Sequence, residues 1–282
     1  MDWPDDRGIL WARTAREKFR YGRRAPAPEL APFVTHYWLV EYDLRGEPPY
    51  RQRVLPHPSV NLTVAGPRAR IAGVIRGHFD EILRDAGWVL GVRFRPGGFR
   101  PFLGAPVVTI ANRFLPLTEV LGAGAAVRQD AVPGPTAGPG ASSGVDWDVL
   151  TARMDALLLA ARPAVDPMVA QMDALVDRIA ADPGTVRVDD LARRTGIGAR
   201  RLQRLFAEYV GASPKWVIRL YRLHEAAQRA ASGEKVSWAA LAVELGYSDQ
   251  AHLVRDFTAL VGVSPARYAR QCVAAGQQVA TT

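Results

Sequence analysis

The C-terminal third of the chain contains an internal repeat. Residues 190–214, DLARRTGIGARRLQRLFAEYVGASP, recur as residues 240–265, ALAVELGYSDQAHLVRDFTALVGVSP. Each copy predicts a short helix, a glycine-bearing turn and a second helix rich in Arg and Gln, which is the helix-turn-helix pattern of proteins that bind the DNA major groove. The offset between the copies is 50 at their first shared glycine and 51 at their last, so the second copy has one additional residue in the turn between its helices. Two such units predict two adjacent contacts with one duplex.

In the first copy, Gly198 is the expected N-cap of a recognition helix that begins near Ala199. The 3.6-residue period turns the apolar residues inward and places Arg200, Gln203 and Arg204 together on the opposite face. Arg can bond guanine O6 and N7, and Gln can bond adenine N6 and N7. This face therefore predicts direct base contacts, although a solvated polar face would have the same pattern.

In the second copy, Ser237 and Ser248 are the expected N-caps, and Asp249 is the expected first residue of the recognition helix. Ala251 and Val254 occupy the positions of Arg200 and Gln203. Apolar side chains can touch a thymine methyl group but donate no hydrogen bonds, so this helix should discriminate less between bases. Its predicted DNA contacts are Gln250, Ala251, His252, Val254 and Arg255.

A single helix is predicted between the copies. Ser213 is its expected N-cap and Pro214 its first helical residue. About 18 residues would span roughly 27 Å at ~1.5 Å per residue, close to the ~34 Å between successive major grooves on one face of B-DNA. One chain could then contact two turns of the duplex.

Composition is that of a globular protein, with 48% hydrophobic residues, a net charge of +8 and one cysteine. No apolar run reaches the ~18 residues of a membrane span and no signal peptide is apparent, so we expect a cytoplasmic location and no membrane partner.

Charge is distributed unevenly along the chain. Basic and acidic residues number 18 and 12 in residues 1–122, 4 and 8 in 123–183, and 14 and 8 in 184–282. The C-terminal excess favours phosphate contact, but an equal excess at the other end means that charge alone does not locate the DNA site.

The chain divides into regions of different composition, and the predicted fold class is α+β. Short aromatic and β-branched runs before residue 125 predict a mainly antiparallel sheet or barrel with helices, including one at GGFRPFLG. AVPGPTAGPGASSG, residues 131–144, predicts a mobile linker. The rest is predicted to be all-α. The expected boundaries are a front domain at 1–125, a linker at 126–145, a connecting helix at 146–165, the double helix-turn-helix domain at 166–272 and a tail at 273–282.

An apolar stripe marks the connecting helix. Trp147, Leu150, Met154, Leu157 and Leu158 recur at helical spacing. Such stripes usually pack in a domain core. Beside a flexible linker, the stripe could instead mediate dimerisation.

Residues 167–270 resemble the DNA-binding domain of the AraC/XylS family of bacterial transcription regulators. The resemblance rests on LARRTGIGARRLQRLFAEYVGASP, LHEAAQRAAS and GYSDQAHLVRDFTALVGVSPARY. It implies seven helices, two helix-turn-helix units joined by a long helix, and DNA-facing positions at Arg200, Gln203, Arg204, Gln250, His252 and Arg255. Gly198 departs from the Ser usual in the family.

The front domain resembles an uncharacterised N-terminal domain found ahead of AraC-type DNA-binding domains, through THYWLVEYDL, RVLPHPSVNLTV and GVRFRPGGFRPFLGAPVVTIANRFLPL. The resemblance implies effector binding or dimerisation. Arg93 and Arg95 alternate along a predicted strand and could hold an anionic effector, although surface charge is the commoner role of such residues.

Two alternatives to an effector-responsive regulator stay open. The front domain could serve only as a dimer or RNA polymerase contact. It could also be an enzyme if His36, His57 and His78 met as metal ligands, but no close ligand spacing supports this. We therefore expect a non-enzymatic regulator without cofactor or metal, whose partners are double-stranded promoter DNA, a small effector, RNA polymerase and a second copy of the chain.

Overall fold

A computed structural model of the chain describes residues 9–66, 68–122, 125, 146–182 and 187–279, with side chains described as far as residue 274. The predicted linker at 131–144 lies outside the described residues. No helix in the described ranges is long and apolar enough to cross a membrane.

The front domain is built on an open antiparallel sheet. Its strands are β1 Arg20–Arg24, β2 Val34–Asp43, β3 Tyr50–Val54, β4 Asn61–Ala65, β5 Arg68–Ala72, β6 Phe79–Leu83, β7 Ala86–Phe94 and β8 Phe114–Pro116. Six of them form one sheet in the order β1-β2-β7-β4-β5-β8, and β3 pairs with β6 in a second, two-stranded sheet. Because β1 and β8 lie at opposite edges without pairing, the structure is a sheet and not the barrel that the sequence left open.

Helical turns in the front domain are short. They are α1 Ala12–Lys18, α2 Arg100–Leu103 and α3 Leu117–Leu121, with 3₁₀ turns at Pro28–Leu30 and Val107–Ile110. The helix predicted at GGFRPFLG is α2, a single turn that ends at Gly104 in the left-handed conformation, with φ 67°.

The connecting helix, α4, spans Trp147–Ala160 and packs on the front domain. Its Asp155 accepts hydrogen bonds from the Tyr37 hydroxyl at 2.6 Å and from the Ala27 amide at 3.0 Å. Leu150, Met154, Leu157 and Leu158 are buried in the same cluster as the strand residues. The apolar stripe is therefore covered within the chain, as core packing predicts.

Seven helices fill the described residues from 167 to 279, as the resemblance implied. They are α5 Pro167–Ala181, α6 Val188–Thr195, α7 Ala199–Leu205, α8 Pro214–Ala231, α9 Trp238–Glu244, α10 Gln250–Val261 and α11 Pro265–Val279. α6 and α7 form the first helix-turn-helix unit, α9 and α10 form the second, and α8 is the linking helix.

Of the three hydrophobic clusters among the described residues, the two largest each join the front domain to one helix-turn-helix unit. The larger cluster joins the main sheet and α4 to α5, the first unit and the start of the linking helix, ending at Val217 and Ile218. The smaller cluster surrounds the second unit and includes Leu10 and Leu55 of the front domain. The front domain thus packs against both units.

Candidate nucleic-acid interface

The recognition helix of the first unit presents the predicted polar face to solvent. α6 ends at Gly196, whose φ of 67° is left-handed, and α7 begins after Gly198. Leu202 is fully buried on the inner side of α7. The three predicted contacts, Arg200, Gln203 and Arg204, are exposed.

The first recognition helix does not end as a regular α-helix. Residues Phe206–Val210 form a π-helical turn, which the Gly211 amide closes by donating to the Phe206 carbonyl at 2.8 Å. Gly211 has a φ of 82° and ends the helix. Phe206 and Val210 are the buried residues of this turn, and the apolar spacing gave no signal for it.

The second recognition helix begins one residue later than the sequence indicated. Ser237 caps α9 as predicted, but Asp249, not Ser248, caps α10 by accepting the His252 amide at 2.7 Å. The prediction of Ser248 was wrong because it aligned the caps at an offset of 50. The extra residue lies before the cap, so Gly198 and Asp249 correspond at 51.

The second recognition face is exposed except at one position. Gln250, Ala251, His252 and Arg255 are exposed, whereas Val254 is half-buried. His252 lies edge-on to the Tyr247 ring with centroids 5.1 Å apart, and its Nδ1 is 3.3 Å from Ser248 Oγ. A side chain with these contacts is less free to adapt to a base than Arg255.

Sequence reasoning missed Arg201. It is exposed on α7, and it occupies the third helical position after the N-cap, as His252 does on α10. The signal was the repeat itself, counted from the N-caps. An exposed arginine at this position can bond a phosphate oxygen.

The linking helix is capped as predicted and tied to the second recognition helix. Ser213 Oγ accepts the Trp216 amide at 3.2 Å, and the helix runs for 18 residues. Arg219 Nε lies 2.7 Å from Asp256 Oδ2 of α10. This ion pair joins the linking helix directly to the base of the second recognition face.

Arg93 and Arg95, the predicted effector contacts, lie in different surroundings. Arg93 is half-buried on β7, opposite His36 of β2 and Asn61 of β4. Arg95 follows β7, donates to the Ala31 carbonyl at 2.7 Å and forms a 2.6 Å ion pair with Asp173 of α5. It lines a groove of about 390 Å³ between the front domain and α5.

The three histidines of the metal alternative do not form a metal site. Burial, then Arg23 and Arg93, lower the pKa of His36 to about 3, and the His57 ring packs edge-on against His224 of the linking helix at 4.9 Å. Over the ranges that the structure describes, no three His, Cys, Asp or Glu side chains are placed to hold a metal ion.

Two domain families match the chain. Residues 191–271 match a helix-turn-helix domain, and residues 22–116 match a domain of unknown function, DUF6597. A search of curated proteins found no match. The helix-turn-helix match, on a fold that contains two such units, supports the class of DNA-binding transcription regulators. More particularly, it joins a C-terminal helix-turn-helix domain to the DUF6597 domain that precedes it.

Several solved structures are similar. An AraC-type transcriptional regulator from Chromobacterium violaceum is 24% identical over 35% of this chain and 88% of its own, with a TM-score of 0.32. A probable AraC family regulator from Rhodopseudomonas palustris CGA009 is 24% identical over 35% and 93%, with a TM-score of 0.32. ToxT from Vibrio cholerae is 10% identical over 90% and 98%, with a TM-score of 0.41. Because these TM-scores are below 0.5, the class of the protein is inferred from the two domain matches.

Proposed function

We propose that the protein binds a specific promoter site by placing α7 and α10 in successive major grooves. The observation that carries this proposal is the pair of exposed recognition faces on α7 and α10, joined by a linking helix of 18 residues. Residues 184–282 carry 14 basic against 8 acidic side chains, which favours phosphate contact around both faces. RNA polymerase is the expected protein partner, because a promoter-bound regulator acts on it.

The two recognition helices contribute unequally in this proposal. α7 presents three side chains that can donate hydrogen bonds to bases, whereas Ala251 and Val254 of α10 offer only apolar contact. We therefore assign the sharper base discrimination to the first unit. α10 then contributes through Gln250, His252 and Arg255.

Selection of preferred sites from random duplex DNA tests the proposal, followed by titration of the selected site with the Arg204→Ala variant. Loss of a bidentate guanine contact should weaken binding by about 1–3 kcal/mol and relax one base preference. The matched control is Arg178→Ala, which removes an exposed arginine from α5, outside both units. Unchanged affinity and preference in Arg204→Ala would show that the recognition face is assigned wrongly.

Control by a small anionic effector forms the second part of the proposal. Arg95 links the front domain to α5 through Asp173, so an anion that competes for its guanidinium would loosen that link. Thermal unfolding with benzoate, succinate or inorganic phosphate tests this, because a ligand of the folded state raises Tm. We expect a rise in the wild type that is lost in Arg95→Ala, and equal shifts in the two proteins would contradict it.

One observation favours an effector-independent regulator. The front domain shares a continuous core with the first unit, which suits a purely structural role. Such a protein would show no ligand-dependent rise in Tm but would still require its front domain for DNA binding.

A further inference from the structure

The front domain contacts the two helix-turn-helix units at corresponding places. Each recognition helix ends in a left-handed glycine, Gly211 with φ 82° in the first unit and Gly262 with φ 85° in the second. These glycines match at the repeat offset of 51. At each, an arginine of the front domain donates a hydrogen bond to a carbonyl of the helix end, Arg76 in the first unit and Arg53 in the second.

Arg53 holds the end of the second recognition helix. Its Nη1 donates to the Val261 carbonyl at 2.8 Å, which satisfies one of the carbonyls left free at a helix C-terminus. Its Nε and Nη2 form a fork with the Asp80 carboxylate at 2.6 and 2.8 Å, joining β3 to β6. A Cβ on Gly262 would lie 1.7 Å from Nη1, so the glycine leaves room for the guanidinium.

Arg76 makes the equivalent contact with the first unit. Its Nη2 donates to the Gly211 carbonyl at 3.1 Å. Its backbone is fixed on both sides, because its amide donates to Asn112 Oδ1 at 2.8 Å and its carbonyl accepts the Trp216 indole N–H at 3.4 Å. A Cβ on Gly211 would lie 2.9 Å from Val107 of the front domain, so this glycine also allows close approach.

Apolar contacts support both attachments. Val107 is fully buried in the cluster that joins the front domain to the first unit. Leu55, two residues after Arg53, is 2% exposed in the cluster of the second unit. Each arginine therefore stands beside a packed interface and is not an isolated surface contact.

We propose that the front domain sets the relative orientation of α7 and α10, with Arg76 and Arg53 as positioning residues at the C-terminal ends of the two helices. The inference rests on the proposed function, in which both helices engage one duplex. Without the front-domain contacts, the second unit would be held to the first by the linking helix, the Arg219–Asp256 pair and the smaller cluster. α10 is 12 residues long, about 18 Å, so a tilt at its C-terminal end displaces the DNA-facing end.

Half-site spacing on DNA tests this inference. Each base pair inserted between the half-sites rotates the second by about 35° around the duplex. Wild-type protein should lose about tenfold in affinity for the selected site with one inserted pair, as for a mismatched pair. The Arg53→Ala and Arg76→Ala variants, alone and combined, should bind the original spacing more weakly and lose less on insertion.

The matched control is Arg51→Ala. Arg51 lies on the same strand as Arg53, is 67% exposed and approaches Asp80 of the front domain at 3.6 Å. Its spacing profile should follow the wild type. The inference would be overturned if the positioning variants lost affinity by the same factor for every spacing and for an isolated half-site. That pattern would report a less stable protein and not a changed orientation of the helices.

A measurement without DNA separates this inference from the proposed function. Spin labels at Arg201→Cys on α7 and Ala259→Cys on α10, in a Cys272→Ser background, report the distance between the recognition helices. We expect a narrow distribution with wild-type Arg53 and Arg76 and a broader one in the double alanine variant. Unchanged distances would overturn the inference even if DNA binds as proposed. A broader distance distribution, in a protein whose affinity does not depend on the second half-site, would overturn only the two-groove function.

Discussion

Arg95 and Asp173 join the front domain to α5 through a 2.6 Å ion pair whose carboxylate side chain is 15% exposed and whose guanidinium is 35% exposed. Burial raises the pKa of Asp173, and Arg95 opposes that rise only in part. Loss of water around the carboxylate thus outweighs the attraction of the pair, and the two partners should not respond equally to mutation.

Arg95→Ala should destabilise the protein by about 1–3 kcal/mol, because it leaves a buried carboxylate without its charged partner. Asp173→Asn should cost less, since the amide keeps the shape and an acceptor oxygen. Denaturant unfolding at pH 7 measures both values. A larger loss in Asp173→Asn would mean that the ion pair is net stabilising.

The same pair has a predictable pH dependence. Because the folded state binds the Asp173 proton more tightly than the unfolded chain, this residue favours folding most below its unfolded pKa, and that contribution is lost as pH rises through the folded pKa. The free energy of unfolding of the wild type, measured relative to Asp173→Asn, should therefore increase as the medium is acidified from pH 7. A constant difference would contradict the raised pKa.

Replacing Asp249 tests the corrected start of α10. Asp249→Ala should lower the unfolding free energy because it removes the acceptor for the His252 amide, whereas Ser248→Ala should have a smaller effect. Hydrogen bonds from the His252 backbone and from Ser248 lower the pKa of Asp249. The stabilisation should therefore be present above its unfolded pKa and disappear as pH falls through the folded pKa. Thermal melts of both variants from pH 7 down to pH 3 make the comparison.

Gly262→Ala should destabilise more than Gly196→Ala. Both positions are left-handed, with φ of 85° and 67°, so each alanine incurs about 1–2 kcal/mol of backbone strain. A Cβ at 196 would meet open space, but one at 262 would displace Arg53 from the Val261 carbonyl and lose about one further hydrogen bond. Equal unfolding free energies would show that the Arg53 contact contributes nothing to stability.

Met154 should matter for folding, not assembly. It is fully buried in the larger cluster, so Met154→Ala should cost about 2–5 kcal/mol. Leu159→Ala on the same helix, at a side chain 38% exposed, should stay within about 0.5 kcal/mol. Sedimentation of both variants measures assembly, and dissociation of a dimer by Met154→Ala without loss of stability would restore the dimerisation role of this stripe.

Arg200→Ala should reduce sequence specificity more than Ala251→Gly. Arg200 can donate two hydrogen bonds to a guanine, whereas the methyl group of Ala251 can only touch a thymine. Competition between the selected site and single-base variants of it measures specificity for each protein. Equal losses would refute the assignment of sharper discrimination to the first unit.

Local sequence patterns were sufficient to predict the exposed face of the first recognition helix, but not every helix cap or the contacts between distant parts of the chain. The repeat, its glycines and the apolar spacing placed Arg200, Gln203 and Arg204 on an exposed face, because helical periodicity fixes which residues share a side. The cap of α10 was misplaced by one residue, since Ser248 and Asp249 are both good caps and only the backbone decides between them. Arg95 shows the other limit: its partner, Asp173, is 78 residues away, and no local pattern joins them.

The continuous core between the sheet and the first unit bears on how this protein can be divided. A fragment starting at Pro167 would retain both helix-turn-helix units, but it would expose the sides of α5 and of the first unit that the front domain now covers. The second unit would lose the cover provided by Leu10 and Leu55 and the Arg53 contact with the Val261 carbonyl. A chimera that joins this helix-turn-helix domain to a foreign sensor must therefore also replace the missing half of the core.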